Sequence, residues 1–211
     1  MKFNNLCCLK VTQMTPVVPT DSSTPKNDCQ PSGKLIVVTG PSGVGKGTIL
    51  ARLLERHPEL YRSTSVTTRS PRKEEIHGKD YYFVSRNQFE QMIARGELLE
   101  WAEFAGNYYG TPREPVEKQI SLGKCILMEI ELKGARQIYQ TFPEALRIFI
   151  LPPSLEVLEK RLRDRAQDSP EAIARRLRCA EEELKAASEF DFQITNDHIE
   201  TALNQLEAIL F

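Results

Sequence analysis

Residues 35–48 read Leu-Ile-Val-Val-Thr-Gly-Pro-Ser-Gly-Val-Gly-Lys-Gly-Thr. An apolar, β-rich run is followed by a glycine-rich turn, a lysine and an amphipathic segment. Strand, glycine loop and helix in this order are typical of a phosphate-binding loop, in which backbone N–H groups and the helix N-terminus face an anion. Lys46 adds a positive charge for the outer phosphates of a nucleotide. An ordinary glycine-rich turn is the alternative, and the spacing G-x-x-x-x-G-K behind a strand argues against it.

One position of this loop departs from the usual motif. Gly47 stands where Ser or Thr normally offers a hydroxyl to Mg²⁺. Thr48 is the nearest hydroxyl and is our predicted magnesium ligand. Magnesium that binds through water is the alternative, since this ion commonly keeps several of its waters.

The composition is that of an ordinary globular domain. The 211 residues are 40% hydrophobic and 27% charged, and 28 basic against 29 acidic residues leave a net charge of −1. This balance argues against affinity for a nucleic-acid polymer or a membrane surface. No run approaches the roughly 20 apolar residues of a membrane span. The five cysteines fit neither a zinc site nor a disulfide framework, which favours a reducing, cytoplasmic location.

Residues 1–33 are predicted to be a disordered extension. Prolines recur there among Thr, Ser, Asn and Asp, with few residues that could pack. Cys7 and Cys8 leave lipidation or redox chemistry open as an alternative, and Met14 is an alternative start.

The rest of the chain alternates strands and helices, which predicts a parallel sheet flanked by helices. Strands are predicted at 35–38, 125–131, 146–151 and 192–195. Helices are predicted at 115–122, 135–141 and 199–210, with further ones after the capping residues Ser154 and Ser169. Block 63–111 is polar and short-stranded, and it interrupts this pattern as an insertion.

Three details of these elements carry expectations. Glu129 and Glu131 should share one face at the carboxyl end of a strand, where open α/β sheets bind ligands. Leu155 should be buried in the helix after Ser154. Asp197 and Glu200 should form a capping box for the last helix.

Arginines surround the predicted turn at 166–169. They are Arg161, Arg163 and Arg165 before it, beside Lys160, and Arg175, Arg176 and Arg178 after it. Guanidinium groups suit bidentate binding of phosphates, so two helices joined here could close over a nucleotide. The alternative is a solvated face whose charges pair with Glu156, Glu159, Asp164 and Glu181–Glu183.

The insertion carries a second set of polar residues. Ser65, Arg69 and Arg72 could hold another phosphate group, and Tyr81 and Tyr109 have hydroxyls for the same task. Glu100 is a carboxylate suited to accepting hydrogen bonds from the N–H groups of a purine edge.

Five segments match one family in their order and spacing. They are Gly40-Pro-Ser-Gly-Val-Gly-Lys46, Ser65-Val-Thr-Thr-Arg-Ser-Pro-Arg72, His77-Gly-Lys-Asp-Tyr-Tyr-Phe83, Gly106-Asn-Tyr-Tyr-Gly-Thr111 and Arg161-Leu-Arg-Asp-Arg165. Together they resemble guanylate kinase, and the resemblance covers about residues 34–210.

The resemblance implies a P-loop nucleoside-monophosphate kinase fold, with a small mixed α/β GMP-binding insertion and a helical lid. It implies the reaction ATP + GMP → ADP + GDP with Mg²⁺, with dGMP as a possible second acceptor and the oligomeric state undecided. The implied ATP-binding residues are Gly40, Pro41, Ser42, Gly43, Val44, Gly45, Lys46, Gly47, Thr48 and Asn196, the last near the adenine. The implied catalytic residues are Lys46, Arg161, Arg165 and Arg176. The implied GMP-binding residues are Arg69, Arg72, Tyr81 and Tyr109 for the phosphate, Ser65, Glu100 and Thr111 for the guanine, and Glu131.

On this basis the chain divides into a core, an insertion and a lid. The extension is 1–33, the core is 34–62, 115–153 and 186–211, the GMP-binding part is 63–114 and the lid region is 154–185. Two departures stand out. Glu129-Ile-Glu131 stands where family members commonly have Asp-x-Asp, so each acidic side chain is longer by one methylene. Asp164-Arg-Ala166 stands where they more commonly have Gly-Arg-Gly.

Two other functions compete with this one. A non-catalytic guanylate-kinase-like domain would bind phosphopeptides in the GMP pocket, but such domains usually lose the ATP loop that is intact here. A kinase for another nucleotide base is disfavoured by Glu100, since a carboxylate repels the N1 acceptor of adenine and accepts from the N1–H of guanine.

Overall fold

The computed structural model describes residues 33–104, 106–164 and 169–211. A parallel five-stranded sheet forms its centre. Its strands in spatial order are β2 (Tyr61–Arg62), β7 (Ile126–Glu129), β1 (Leu35–Thr39), β8 (Leu146–Leu151) and β9 (Phe192–Thr195). Strand β1 is central and fully buried, as its unbroken apolar run predicts. Val38 pairs with Glu129 of β7, so the glycine loop after β1 begins beside the carboxyl end of β7.

Helices cover both faces of this sheet. One face carries α1 (Lys46–Arg56), α5 (Leu155–Asp164), α6 (Pro170–Lys185) and α7 (Ile199–Leu210), and the other carries α3 (Arg113–Ser121) and α4 (Leu132–Thr141). A 3₁₀ turn, Ala187–Glu189, follows α6. The side chains of β1 alternate between the two cores, with Ile36 and Val38 in one and Leu35 and Val37 in the other. The sheet is therefore anchored from both sides.

A second sheet lies in the chain between β2 and β7. Its order is β4 (Tyr82–Phe83), β3 (Val66–Thr67), β6 (Asn107–Pro112) and β5 (Leu98–Phe104), and α2 (Arg86–Ala94) packs against it. Strand β3 runs parallel to β4 and antiparallel to β6. Ser85 caps α2, since Ser85 and Gln88 form a reciprocal capping box. The side-chain amide of Gln137 in α4 binds both backbone groups of Trp101 in β5, at 3.1 and 2.7 Å, which ties this sheet to the core.

Most predicted elements are confirmed, with 146–151, 192–195 and 199–210 matching their bounds. The capping box of the last helix is wrong. His198 is the N-cap residue and its side chain makes no capping hydrogen bond. Glu200 instead pairs with Arg52 and Arg56 of α1. Leu155 is exposed, since it is the first residue of α5.

The strand predicted at 125–131 is also shorter than expected. It ends at Glu129, and Glu131 lies beyond it as the residue that precedes α4. Within the described ranges, no helix is both long and apolar enough to cross a membrane. The predicted extension lies outside these ranges apart from Gly33.

Candidate active site

The loop after β1 requires glycine where it touches neighbouring backbone. Gly40 and Gly45 have φ angles of 145° and 99°. A Cβ on Gly40 would strike the carbonyl oxygen of Ile150 in β8, and a Cβ on Gly45 would lie 2.5 Å from Nδ2 of Asn196. Gly45 directly precedes α1, so the partial positive charge at the start of this helix faces the hollow of the loop.

Two side chains hold this loop from behind. The amide of Asn196 donates to the carbonyl oxygen of Val44 at 2.8 Å, and Arg161 of α5 donates to the same oxygen at 3.3 Å. Arg161 also donates to the carbonyl of Asn196 at 2.9 Å. Both residues were predicted to contact ATP, and here both fix the backbone that would bind it. Asn196 is only 3% exposed, and its amide contacts the loop backbone. Its direct effect is therefore on the shape of the loop.

The Lys46 ammonium lies over the loop itself. It donates to the carbonyl oxygens of Gly40 and Pro41, at 2.5 and 3.2 Å. Phosphate oxygens form stronger, charge-assisted hydrogen bonds than neutral carbonyls. The ammonium is therefore placed where an arriving phosphate can take over these donors.

A cavity of about 610 Å³ opens beside the loop. Its lining residues are Gly43, Gly45, Thr48, Arg161, Asp164, Asn196, Asp197, His198, Ile199 and Glu200. Thr48, the predicted magnesium ligand, is exposed and belongs to this lining.

Gly47 lies next to a different group. A Cβ built on it would be 3.6 Å from Oε1 of Glu129, at the end of β7. Carboxylate oxygen is the ligand type that Mg²⁺ prefers. The residues at this point of the loop therefore fit a magnesium ion bound together with a nucleotide, although no group of three or more metal-ligating side chains occurs in the part of the chain that the structure describes.

The second sheet brings together the residues predicted for the acceptor phosphate. The Arg69 guanidinium lies 5.4 Å from the ring centre of Tyr81, whose ring meets that of Tyr109 edge-on at 6.3 Å. Burial and the nearby charge of Glu129 raise the pKa of Tyr81, so its hydroxyl stays a donor at neutral pH. Arg72 is exposed on the following turn. These side chains form a positively charged, hydroxyl-bearing surface suited to a phosphate.

Arg69 already has an acidic partner. Glu75 accepts hydrogen bonds from both of its terminal nitrogens and from the backbone N–H of Arg72, and the Arg69 hydrogen bond lowers the pKa of Glu75 to about 2. The ion pair therefore orients the Arg69 guanidinium before any phosphate binds.

Glu100 of β5 is a buried carboxylate. It is 4% exposed and accepts a hydrogen bond from the hydroxyl of Thr111 at 2.7 Å. Burial raises its pKa to about 7, the nearby charge of Glu131 adds to the increase and the Thr111 hydrogen bond opposes it. A Cβ on Gly134 of α4 would strike this carboxylate, so only glycine leaves room for it there. Ser65 is half-buried, and its carbonyl accepts from the backbone N–H of Tyr82 at 2.8 Å.

The structure describes only part of the predicted lid region. Arg176 is half-buried on α6, whereas Arg165 lies outside the described residues. Glu183 of α6 is half-buried, although the alternative interpretation of this region placed it on a solvated face. Burial and the charge of Glu131 raise its pKa to about 7, against the opposing effect of Lys46. This carboxylate therefore faces the same region as Lys46.

Sequence reasoning missed Glu75, Gly134 and Glu183. Glu75 comes shortly after the Thr-Thr-Arg-Ser-Pro-Arg segment, so a turn predicted at 72–75 would have placed its carboxylate near Arg69. Glu183 lies beside the buried helix stripe of Ala180. Nothing in the local pattern indicates that Gly134 makes space for a residue 34 positions earlier.

A phosphate loop after the central strand of a parallel sheet, with a second sheet inserted in the chain that carries arginine and tyrosine side chains, is typical of the class of P-loop nucleoside-monophosphate kinases. Comparisons with known proteins agree. The family model described as guanylate kinase matches residues 32–211. The chain belongs to the guanylate kinase family, which confirms the resemblance read from its sequence.

Named relatives and a solved structure support this assignment. A guanylate kinase of Trichormus variabilis is 67% identical over 85% of this chain and 90% of its own length. One of Trichodesmium erythraeum is 63% identical over 85% of this chain and 97% of its own. The crystal structure of guanylate kinase from Anaplasma phagocytophilum aligns with a TM-score of 0.70 and 35% identity, covering 85% of each chain.

Proposed function

We propose that this chain transfers the γ-phosphoryl group of ATP to GMP, giving ADP and GDP. The observation that carries this proposal is an intact phosphate loop, with Lys46 in place, in a member of the guanylate kinase family. A degraded loop would have favoured the phosphopeptide-binding alternative, and no observation here favours it.

ATP would lie with its phosphates in the loop. The residues from Gly40 to Thr48 would surround them, and the cavity beside Asn196 has room for the nucleoside. The backbone N–H groups and the start of α1 favour the negative charge, and Lys46 would follow the outer phosphates.

GMP would bind on the inserted sheet. Arg69, Arg72, Tyr81 and Tyr109 would hold its phosphate, and Glu100 would accept from guanine N1–H and N2–H, beside Ser65 and Thr111. Glu131, also predicted to bind GMP, lies close enough for its charge to raise the pKa of Glu100. A buried carboxylate is costly to leave unpaired, so guanine is selected strongly over a base that lacks these donors.

Catalysis would rest on position and charge rather than covalent chemistry. Mg²⁺ bound with ATP would neutralise charge on its phosphates. Lys46, Arg161, Arg165 and Arg176 would stabilise the charge of the group in transfer, with Arg165 and Arg176 approaching as the lid region closes. Closure on both substrates would exclude water and so limit hydrolysis of ATP.

The finer predictions from sequence belong to this proposal too. They are a cytoplasmic location, a role in guanine nucleotide metabolism, dGMP as a further acceptor, and Thr48 as a magnesium ligand, directly or through water.

The test is a coupled assay of ADP release with the full chain, ATP and Mg²⁺. GMP, AMP, UMP and CMP are compared as acceptors, and Lys46→Ala is the inactive control. We expect turnover with GMP at least about a hundredfold above that with AMP, as expected for a site that pairs buried polar groups with its substrate. Equal rates with AMP and GMP, or no transfer to any of the four, would refute the proposal.

A further inference from the structure

Strand β5 contains an extra residue where it begins to pair with β6. Pro112 of β6 lies opposite Leu98 and Thr111 lies opposite Glu100, so Leu99 has no partner in the ladder. An unpaired residue of this kind is a β-bulge, and a bulge changes the side of the sheet to which the following side chains point.

The side chains next to the bulge show this change of side. In a regular strand, residues two apart share a face of the sheet. Leu98 packs in one cluster with Phe89 of α2. Glu100, two residues later, faces Gly134 of α4 instead. The two side chains therefore point to opposite sides of the sheet.

Trp101 gives a second, independent sign of the bulge. Its ring meets the ring of Tyr108 edge-on at 5.8 Å, and the Tyr108 ring stacks on Phe89 at 5.2 Å. Trp101 and Leu98 thus lie on the α2 side although they are three residues apart, which a regular strand does not allow. Without the bulge, Glu100 would point toward α2 and away from the surface proposed for guanine.

The extra residue itself is anchored in the core. Leu99 is buried in the same cluster as Val116 of α3 and Ile138 of α4. The start of β5 is therefore fixed on one side by apolar packing.

Backbone hydrogen bonds from Arg113 fix the other side. Pro112 has no N–H group, so β6 cannot donate to β5 from this residue. Arg113, the next residue, donates from its backbone N–H to the carbonyl oxygen of Glu97 at 2.8 Å. Its guanidinium donates to the carbonyl oxygens of Gly96 and Leu98, at 3.1 and 3.3 Å. Three successive carbonyl groups before the bulge thus accept from one residue.

The guanidinium is itself oriented from α3. Arg113 is the first residue of this helix, and it also donates to Glu117, one turn further along, at 3.1 Å. The planar group has donors on several edges, so it can bind a carboxylate and two carbonyl groups at once. Arg113 therefore connects α3 of the core to the residues that lead into the bulge.

We propose that Arg113 is a positioning residue for guanine recognition, which holds the bulge at Leu99 and so keeps the Glu100 carboxylate turned toward the acceptor site. This inference rests on the proposed function, because it assumes that Glu100 reads guanine. Arg113 acts through the backbone of β5 and needs no contact with either nucleotide.

The test measures discrimination between GMP and IMP, the analogue that lacks the 2-amino group of guanine. We would determine kcat/KM for each acceptor with the full chain, ATP and Mg²⁺ at pH 8, above the pKa of about 7 of Glu100. Arg113→Ala should lower the GMP-to-IMP ratio about tenfold or more, the effect of one misplaced hydrogen bond to a charged group. KM for ATP should stay within about twofold.

Arg86→Ala is the matched control. Arg86 also pairs with a glutamate four residues later, Glu90, at 3.2 Å, as Arg113 pairs with Glu117 at 3.1 Å. Its guanidinium donates to Tyr108 and Glu90 rather than to the backbone of β5. This variant should keep the GMP-to-IMP ratio within about twofold.

A second background tests whether Arg113 acts through Glu100. In Glu100→Gln the reading group is already changed, so adding Arg113→Ala should alter the ratio far less than it does in wild type. Circular dichroism melts show which variants are folded at the assay temperature. If Arg113→Ala is not folded, Arg113→Lys replaces it, with a decrease of about threefold or more, since an ammonium lacks the fork of a guanidinium.

Two results would overturn the inference. One is an equal loss for GMP and IMP in the folded variant, which leaves the ratio unchanged and indicates general damage. The other is the same decrease of the ratio with and without the Glu100 carboxylate. A wild-type chain that phosphorylates GMP while Arg113→Ala keeps its ratio refutes only the inference. A wild-type chain that transfers no phosphoryl group to GMP refutes the proposed function.

Discussion

Glu75 accepts hydrogen bonds from both terminal guanidinium nitrogens of Arg69, at 2.9 and 2.8 Å. Both side chains are less than one-fifth exposed. The pair fixes Arg69 before an anion arrives, so less side-chain entropy has to be lost on binding.

Replacing Glu75 with Gln should destabilise the fold at neutral pH. The pKa of Glu75 is about 2 in the folded chain against an ordinary 4.5, so its ionised form stabilises the fold above pH 4.5, and this stability is lost as the pH falls toward 2. We expect a loss of about 1 kcal/mol at pH 7, discounted for partial exposure. Urea unfolding at pH 7 and pH 3.5 measures it. A difference from wild type that does not shrink at the lower pH would contradict the assigned ion pair.

Glu100 has the opposite pH behaviour. Its pKa is about 7 rather than 4.5, so the buried carboxylate lowers stability progressively as the pH rises from 4.5 to 7. Glu100→Gln should therefore be more stable than wild type by about 2 kcal/mol at pH 8 and nearly equal to it at pH 4.5. Thermal melts across this range test the expectation, and a constant difference at all pH values would contradict it.

The same carboxylate should make GMP recognition pH-dependent. Only the ionised form accepts hydrogen bonds from both guanine N–H groups. In wild type, kcat/KM for GMP should fall as the pH drops below about 7, the pKa of Glu100. Glu100→Gln should have a much higher KM for GMP, little change in KM for ATP, and no such pH dependence. Equal effects on the two substrates would mean that Glu100 does not read the base.

Gly134 makes space for Glu100, so enlarging it should harm the same step. Gly134→Ala adds a methyl group against the Glu100 carboxylate, although alanine favours the helix by about 1 kcal/mol. We expect KM for GMP to rise while KM for ATP stays close to normal. Glu100→Asp shortens the carboxylate, so the alanine should cost much less in that background. Additive effects of the two changes would show that these residues do not meet.

Asn196 should matter to ATP through the loop. Asn196→Asp removes the amide donor to Val44 and sets a negative charge against its carbonyl oxygen. KM for ATP should rise about tenfold, the effect of roughly 1.4 kcal/mol, with little change for GMP. Asn204→Asp, an exposed residue of α7, is the control. Unchanged ATP kinetics in Asn196→Asp would exclude this role.

The sequence predicts the parallel core well and the partners of its charges poorly. Strands β1 and β8 are short, largely apolar runs, and their place follows from burial. The phosphate loop can be recognised from sequence because its residues are contiguous. Glu200 was misassigned because its arginine partners lie on another helix, about 150 positions earlier. Long-range pairing of this kind depends on helix packing, which local patterns do not contain.

The proposed acceptor site shows the same limit. Arg69, Tyr81 and Tyr109 stood out through a family resemblance, and the structure brings their side chains together. The counter-charge of Glu75 and the space at Gly134 depend on how the inserted sheet meets α4. Glu131 was placed on a strand, but that strand ends two residues earlier because α4 begins at Leu132.

The central claim is that two nucleotides bind with their phosphates facing each other, one at Lys46 and the other at Arg69. The most direct measurement is inhibition by an analogue in which adenosine and guanosine are joined 5′ to 5′ through a phosphate chain. We predict competition against both ATP and GMP, with affinity far above that of either nucleotide alone. Competition against only one substrate, or affinity no higher than that of a single nucleotide, would contradict the account.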